Sequence, residues 1–115
     1  MYATYHFFLD GNLYMNILPE IDKISNELTN IFKDLHQHPE LGFEEIRTSK
    51  IVKEKLQDYG VDEIHTEIGK TGVVAVINGK QQDGNQIGLR ADMDALPIEE
   101  TTNLNYASQN PGKMH

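Results

Sequence analysis

The sequence has 115 residues, a formal charge of −8 and no cysteine. This length allows one domain rather than two, and 38% hydrophobic with 24% charged residues fits a globular fold better than a disordered chain. The acidic balance argues against general binding to nucleic acid or anionic membranes, because both need a basic surface. Without cysteine there is no disulfide framework and no sign of an oxidising compartment, so we expect a cytoplasmic protein.

The first residues, 1–14, fit neither the helix nor the strand period, and they lack the Lys or Arg of a signal peptide. Met15 stands directly before the first regularly patterned segment. We therefore expect residues 1–14 to be a non-native or disordered extension and residues 15–115 to be the folded part. An ordered N-terminal arm is the alternative.

Two helices are predicted next. Residues 18–36 carry apolar side chains at steps of three and four, which places them on one helical face: Leu18, Ile21, Ile24, Leu28, Ile31 and Leu35. Pro19 suits a first helical turn, and Pro39 requires the helix to end before it. A second helix is predicted over 44–59, and Gly60 can take the positive φ of a helix C-terminus.

Three strands are predicted after the helices. Residues 64–68 alternate as in a half-exposed strand, and the β-branched run 73–77 is typical of a strand covered on both faces. Residues 86–91 alternate again and predict a third strand. The order helix, helix, strand, strand, strand indicates an α/β fold in which the helices cover one face of the sheet. Little chain follows residue 92 to cover the other face, so we expect the sheet to be incomplete.

One candidate site lies at the end of the third predicted strand. Arg90 and Asp92 are two residues apart and share a face, and Asp94 follows them. In open α/β sheets, ligand crevices form at the carboxyl ends of strands. The alternative is a salt-bridged strand end that leads into a solvated turn.

A second candidate site follows the first helix. Imidazole and carboxylate groups both suit zinc or manganese, and this segment contains His36, His38, Glu40, Glu44 and Glu45. The alternative is a solvated helix end. A further histidine, His65, is predicted to lie on the surface of a strand.

Three segments together resemble one enzyme family. Asp34–Glu45, Gly69–Ala75 and Leu89–Glu100 are similar, in order and spacing, to successive signatures of the N-acyl-amino-acid amidohydrolases. That branch of the carboxypeptidase G-type metallopeptidases includes hippurate hydrolase, the auxin-conjugate hydrolases and N-acetyldiaminopimelate deacetylase. Residues 106–108 and 111–115 follow the pattern as well.

The resemblance implies that residues 15–115 are the N-terminal portion of a metallopeptidase catalytic domain. The family continues after its Met-His with Ala-Cys-Gly-His-Asp, which supplies two metal ligands; the other ligands, the general-base Glu and a lid domain come later. The chain would therefore hold no metal ligand and be inactive alone. Asp92 resembles the carboxylate that supports the ligands from outside their shell, with Arg90 and Asp94 beside it, and His115 adjoins the ligand motif.

In a full-length enzyme the resemblance implies hydrolysis of N-acyl amino acids to a carboxylic acid and an amino acid. Two divalent ions, zinc or manganese, would polarise the amide and activate water. A homodimer is a further implied property. Two alternatives stay open: a non-catalytic acidic binding module of the same fold, and a self-contained metal-binding domain that uses His36, His38, Asp92 and Asp94.

Overall fold

The computed structural model describes residues 7–9, 12–14, 19–80 and 84–115. Its helices and strands, in chain order, are β1 Phe7–Leu9, β2 Asn12–Tyr14, α1 Pro19–Gln37, α2 Ile46–Asp58, β3 Glu63–Ile68 and β4 Gly72–Val76. The chain divides into two compact units, Met1–Phe32 and Lys33–His115. No helix in the described part is both long enough and apolar enough to span a membrane.

In the first unit, β1 and β2 pair antiparallel, with Phe7 opposite Tyr14 and Leu9 opposite Asn12. Strands of three residues are too short to show a period, which is why the sequence did not indicate them. The prediction of an extension also covers residues 1–6, 10 and 11, which lie outside the described residues, as does Met15. The extension therefore stays a prediction.

Helix α1 begins at Pro19, one residue after the predicted start, and ends at Gln37, one after the predicted end. Four of its apolar residues remain substantially exposed, at 41% to 55% of their surface: Ile21, Ile24, Leu28 and Phe32. The predicted amphipathic helix is therefore present, and its apolar residues within the first unit are largely open to solvent.

Helix α2 begins at Ile46 because a carboxylate from the preceding loop caps it. The N-cap residue Glu45 makes no side-chain capping bond. Glu40 accepts hydrogen bonds instead from the Arg47 N–H at 3.0 Å and the Thr48 N–H at 2.7 Å. These N–H groups have no partner inside the helix, so Glu40 supplies the acceptor that the first turn lacks.

Strands β3 and β4 form an antiparallel hairpin in which Ile64 lies opposite Ala75. The pairing is irregular between His65 and Ile68. A glycine is required at the first position of β4, because a Cβ on Gly72 would lie 2.5 Å from the Ile68 carbonyl oxygen. Glycine thus permits a close approach of the two backbones that no other residue allows.

The third predicted strand is not formed, and this part of the sequence prediction was wrong. Residues 84–94 contain no strand, and Ile87 and Leu89 are 91% and 86% exposed. A strand needs a neighbouring strand for its backbone hydrogen bonds, and within the described residues β4 pairs only with β3. The alternating pattern alone cannot supply that neighbour. The α/β class and the incomplete sheet are confirmed.

Candidate functional site

Three segments that are distant in the sequence meet at Ala95. The Ala95 N–H donates to the Glu40 carbonyl at 2.8 Å, within a parallel bridge between Leu41 and Ala95. Leu96 and Met114 form an antiparallel bridge with hydrogen bonds of 2.9 and 3.1 Å. Ala95 is 3% exposed, so its methyl side chain fills the centre of this junction. The junction joins parts of three of the motif segments, 34–45, 89–100 and 111–115.

His36 lies in the last turn of α1 and is 9% exposed. Its Nε2 lies 3.0 Å from Glu100 Oε1, and its ring meets the edge of Tyr106 at a centroid distance of 5.5 Å. A carboxylate only accepts hydrogen bonds when ionised, so Nε2 carries the proton and donates. His36 therefore connects α1 to the segment that follows the junction.

Glu100 collects hydrogen bonds from three sides. The Thr102 hydroxyl, the Ser108 N–H at 2.5 Å and His36 all donate to its carboxylate. Its side chain is only 5% exposed. The Thr102 hydroxyl, then the Ser108 N–H and His36, lower the pKa of Glu100 to about 2. The carboxylate is thus fully ionised at neutral pH and orders the loop around it.

Asp94 and His115 lie beside the junction. The antiparallel pairing of Leu96 with Met114 places His115 opposite Ala95, the residue that follows Asp94. A Cβ on Gly42 would stand 3.9 Å from Asp94 Oδ2, so the Asp94 side chain lies over Gly42. Loss of contact with water lowers the pKa of His115, the charge of His36 lowers it further, and Asp94 acts in the opposite direction. Imidazole and carboxylate groups are therefore close enough here to influence one another.

Arg90 and Asp92 form an ion pair with each other, and their side chains are 81% and 60% exposed. The two side chains therefore meet, although the strand on which their common face was predicted is not formed. The arrangement matches the alternative of a salt-bridged segment entering a solvated turn. The supporting role of Asp92 stays a prediction.

The second predicted cluster is dispersed. His38 Nδ1 donates to the α1 carbonyl of Asp34 at 2.8 Å, and the exposed Glu44 lies 3.5 Å from Lys113. Glu45 is buried and accepts the Thr71 hydroxyl at 2.7 Å. These contacts tie loops to helices rather than converge on one point.

His65 pairs with Glu63 at 3.4 Å, and both side chains are more than half exposed. The predicted surface position of His65 is confirmed.

The described residues do not fit a metal ion. Among them no group of three or more His, Cys, Asp or Glu side chains is arranged to hold one, whereas a protein zinc site takes at least three such ligands. The four residues of the self-contained metal-binding hypothesis, His36, His38, Asp92 and Asp94, are not gathered into such a group. That hypothesis has no support in the geometry.

The sequence did not predict that Glu40 caps α2 or that Glu100 accepts hydrogen bonds from His36 and Ser108. Glu40 was considered as a metal ligand, but it caps α2, and it is not the N-cap residue that the usual sequence signature would identify. Glu100 contacts His36 across 64 positions of sequence. No local pattern signals so distant a pairing.

The chain is similar to several known amidohydrolases, although no protein-family model matches it. Hippurate hydrolase of Campylobacter jejuni is 50% identical over 101 residues, covering 88% of this chain and 26% of that protein. N-acyl-L-amino acid amidohydrolase of Geobacillus stearothermophilus is 43% identical over 98 residues, covering 83% and 25%. The chain spans about a quarter of the length of the curated relatives it matches.

A solved structure gives the same result for the fold. A dinuclear metal binding peptidase of the M20 family from Bacillus subtilis matches with a TM-score of 0.74 and 45% identity, over 82% of this chain and 26% of that one. The two helices and the incomplete sheet thus correspond to part of an M20 peptidase. In sequence and in fold, the chain is similar to one part of the amidohydrolases and of the M20 family peptidases.

Proposed function

We propose that this chain is part of a metal-dependent amidohydrolase that cleaves N-acyl amino acids to a carboxylic acid and an amino acid. The observation that carries the proposal is the meeting of the motif segments at Ala95, where the Ala95 N–H donates to the Glu40 carbonyl and the backbones of Leu96 and Met114 hydrogen-bond each other. Relatives named for hydrolysis of hippurate and of N-acyl-L-amino acids support the substrate class.

The contribution of this chain is positioning. The junction at Ala95 and the Glu100 carboxylate fix the loop that leads to His115. The relative from Bacillus subtilis is described as dinuclear, and we propose two zinc or manganese ions for the complete enzyme. Such ions supply Lewis-acid chemistry when bound. The ligands would come from outside the described residues, since these do not form a metal-holding group.

Three further properties belong to the same proposal. Residues 15–115 would be the N-terminal portion of the catalytic domain, with residues 1–14 as an extension. The complete enzyme would act in the cytoplasm as a homodimer. The similarity to the relatives over 88% of this chain supports the first of these.

A chimera tests the proposed function. The 101 matched residues of Campylobacter jejuni hippurate hydrolase are replaced by the corresponding residues of this chain, and release of glycine from hippurate is measured. We expect turnover close to that of the parent, because half of the exchanged positions are already identical. A folded chimera that binds metal but releases no glycine would contradict the proposal.

Asp92 is tested in the same chimera. If its carboxylate orients the metal ligands, Asp92→Asn lowers metal affinity or activity by about 10- to 100-fold. Asp58→Asn, at the exposed end of α2, is the matched control and leaves both unchanged. Equal metal content and equal turnover in the two variants would show that Asp92 does not orient the metal ligands and only pairs with Arg90 at the surface.

A further inference from the structure

An open groove of about 250 Å³ separates α2 from the β3–β4 turn. It lies entirely within the second unit. Its walls come from the first two turns of α2 and from the end of β3 and the turn after it. They consist of Ile46, Ser49, Lys50, Lys53, Thr66, Glu67, Lys70 and Thr71.

The groove is basic in a protein that carries a net charge of −8. Three lysine ammonium groups line it, against the single carboxylate of Glu67. Lys50 has a partner, Glu54, only at 3.8 Å, and both of these side chains are more than half exposed. Such exposed pairs hold a lysine weakly. Lys53 has no ion pair within the part of the chain that the structure describes.

The positions of the lysines favour a shared anion. Lys50 and Lys53 lie three residues apart on α2, so their like charges face each other and repel. Lys70 lines the opposite wall, and its ammonium lies over the Phe43 ring at 5.3 Å from the ring centre. A multivalent anion between the two walls would remove this repulsion.

Hydroxyl groups complete the donor set. Ser49 and Thr66 line the groove, and their hydroxyls make no hydrogen bond among the described residues. The Thr71 hydroxyl is already used by Glu45. The groove contains no arginine, so it lacks the planar fork that recognises a carboxylate in two places. Lysine point charges and hydroxyl donors instead suit the tetrahedral oxygens of a phosphate.

We propose that this groove binds the phosphate group of inorganic phosphate or of a phosphomonoester. The negative charge of Glu67 repels the anion, and the groove is open to solvent. The affinity is therefore expected to be roughly millimolar, since exposed ion pairs contribute modestly.

The test is a titration of the 115-residue chain with inorganic phosphate at constant ionic strength, followed by the amide chemical shifts of residues 49–53 and 66–71. Saturable shifts confined to these residues are expected. The double variant Lys53→Gln with Lys70→Gln should bind about tenfold more weakly, because charge-assisted hydrogen bonds are lost. The control, Lys23→Gln with Lys80→Gln, changes the net charge equally at exposed positions that do not line the groove and should bind as the unchanged chain does.

Shifts that do not saturate, or an equal loss of binding in both double variants, would overturn the proposal, since either result indicates general charge screening. If the shifts saturate, two further measurements distinguish a soluble phosphomonoester from a lipid headgroup. Saturable shifts with glycerol phosphate and no binding to phosphatidic acid vesicles identify a soluble phosphomonoester. Vesicle binding that is lost only in the Lys53 and Lys70 variant identifies a lipid headgroup.

Discussion

Two carboxylates, Glu40 and Glu100, connect parts of the chain that local sequence does not connect. Burial alone raises the pKa of Glu40, but hydrogen bonds from Thr48 and Arg47 and the Arg47 charge outweigh it and lower the pKa. The pKa of Glu100 is lowered in the same direction by the Thr102 hydroxyl, the Ser108 N–H and His36. In both cases the folded state favours the ionised form.

Stability should therefore fall in acid. The Glu100 contribution is complete above the ordinary pKa of 4.5 and is lost as the pH falls towards about 2. The measurement is the urea midpoint between pH 6 and pH 2, read from helical circular dichroism. In Glu100→Gln the fall across this window should be smaller. A variant with the same acid dependence as the unchanged chain would contradict the ionised network around Glu100.

Glu40 is tested by removing the cap of α2. Glu40→Ala leaves the N–H groups of Arg47 and Thr48 without their acceptor and should lower the free energy of unfolding by about 1–2 kcal/mol. Glu54→Ala is the control, because its exposed pair with Lys50 at 3.8 Å contributes little. Equal urea midpoints for the two variants would show that Glu40 does not cap the helix.

At the scale of elements, the sequence predicted the helices and strands whose pattern depends on residues close together in the chain. The spacing of apolar residues predicted α1 to within one residue at each end, and β-branched residues predicted β4. The failure at 86–91 has a physical reason, since Ile87 and Leu89 show the strand period but find no partner strand among the residues that the structure describes. The contact between His36 and Glu100 was not predicted for the same reason, because it joins residues that only the completed fold brings together.

The β3–β4 hairpin offers a matched pair of glycine substitutions. Gly72→Ala places a Cβ 2.5 Å from the Ile68 carbonyl oxygen, so the hairpin must shift and unfolding should become easier by about 1–3 kcal/mol. Gly88→Ala meets no atom within 4 Å and should change stability by less than about 0.5 kcal/mol. Thermal unfolding of the two variants gives the comparison. A neutral Gly72→Ala would mean that the close approach of β3 and β4 is not needed.

At the scale of the whole molecule, the described residues bury few apolar side chains. Among them, Ala95 and Pro39 are buried, while Ile77, Ile87 and Leu89 are between 77% and 91% exposed. Exposed apolar surface and unpaired strand edges promote association. The isolated chain should therefore bind a hydrophobic dye such as anilinonaphthalene sulfonate and sediment as a mixture of oligomers. A monodisperse chain that unfolds cooperatively would instead favour the acidic binding module.

The central proposal is that these residues form one part of an M20 amidohydrolase, and the most direct test is hippurate hydrolysis by the chimera with the Campylobacter jejuni enzyme. The account predicts glycine release at a rate near that of the parent, because the junction at Ala95 and the Glu100 network are carried over intact. A chimera that folds, holds its metal and releases no glycine would contradict the account.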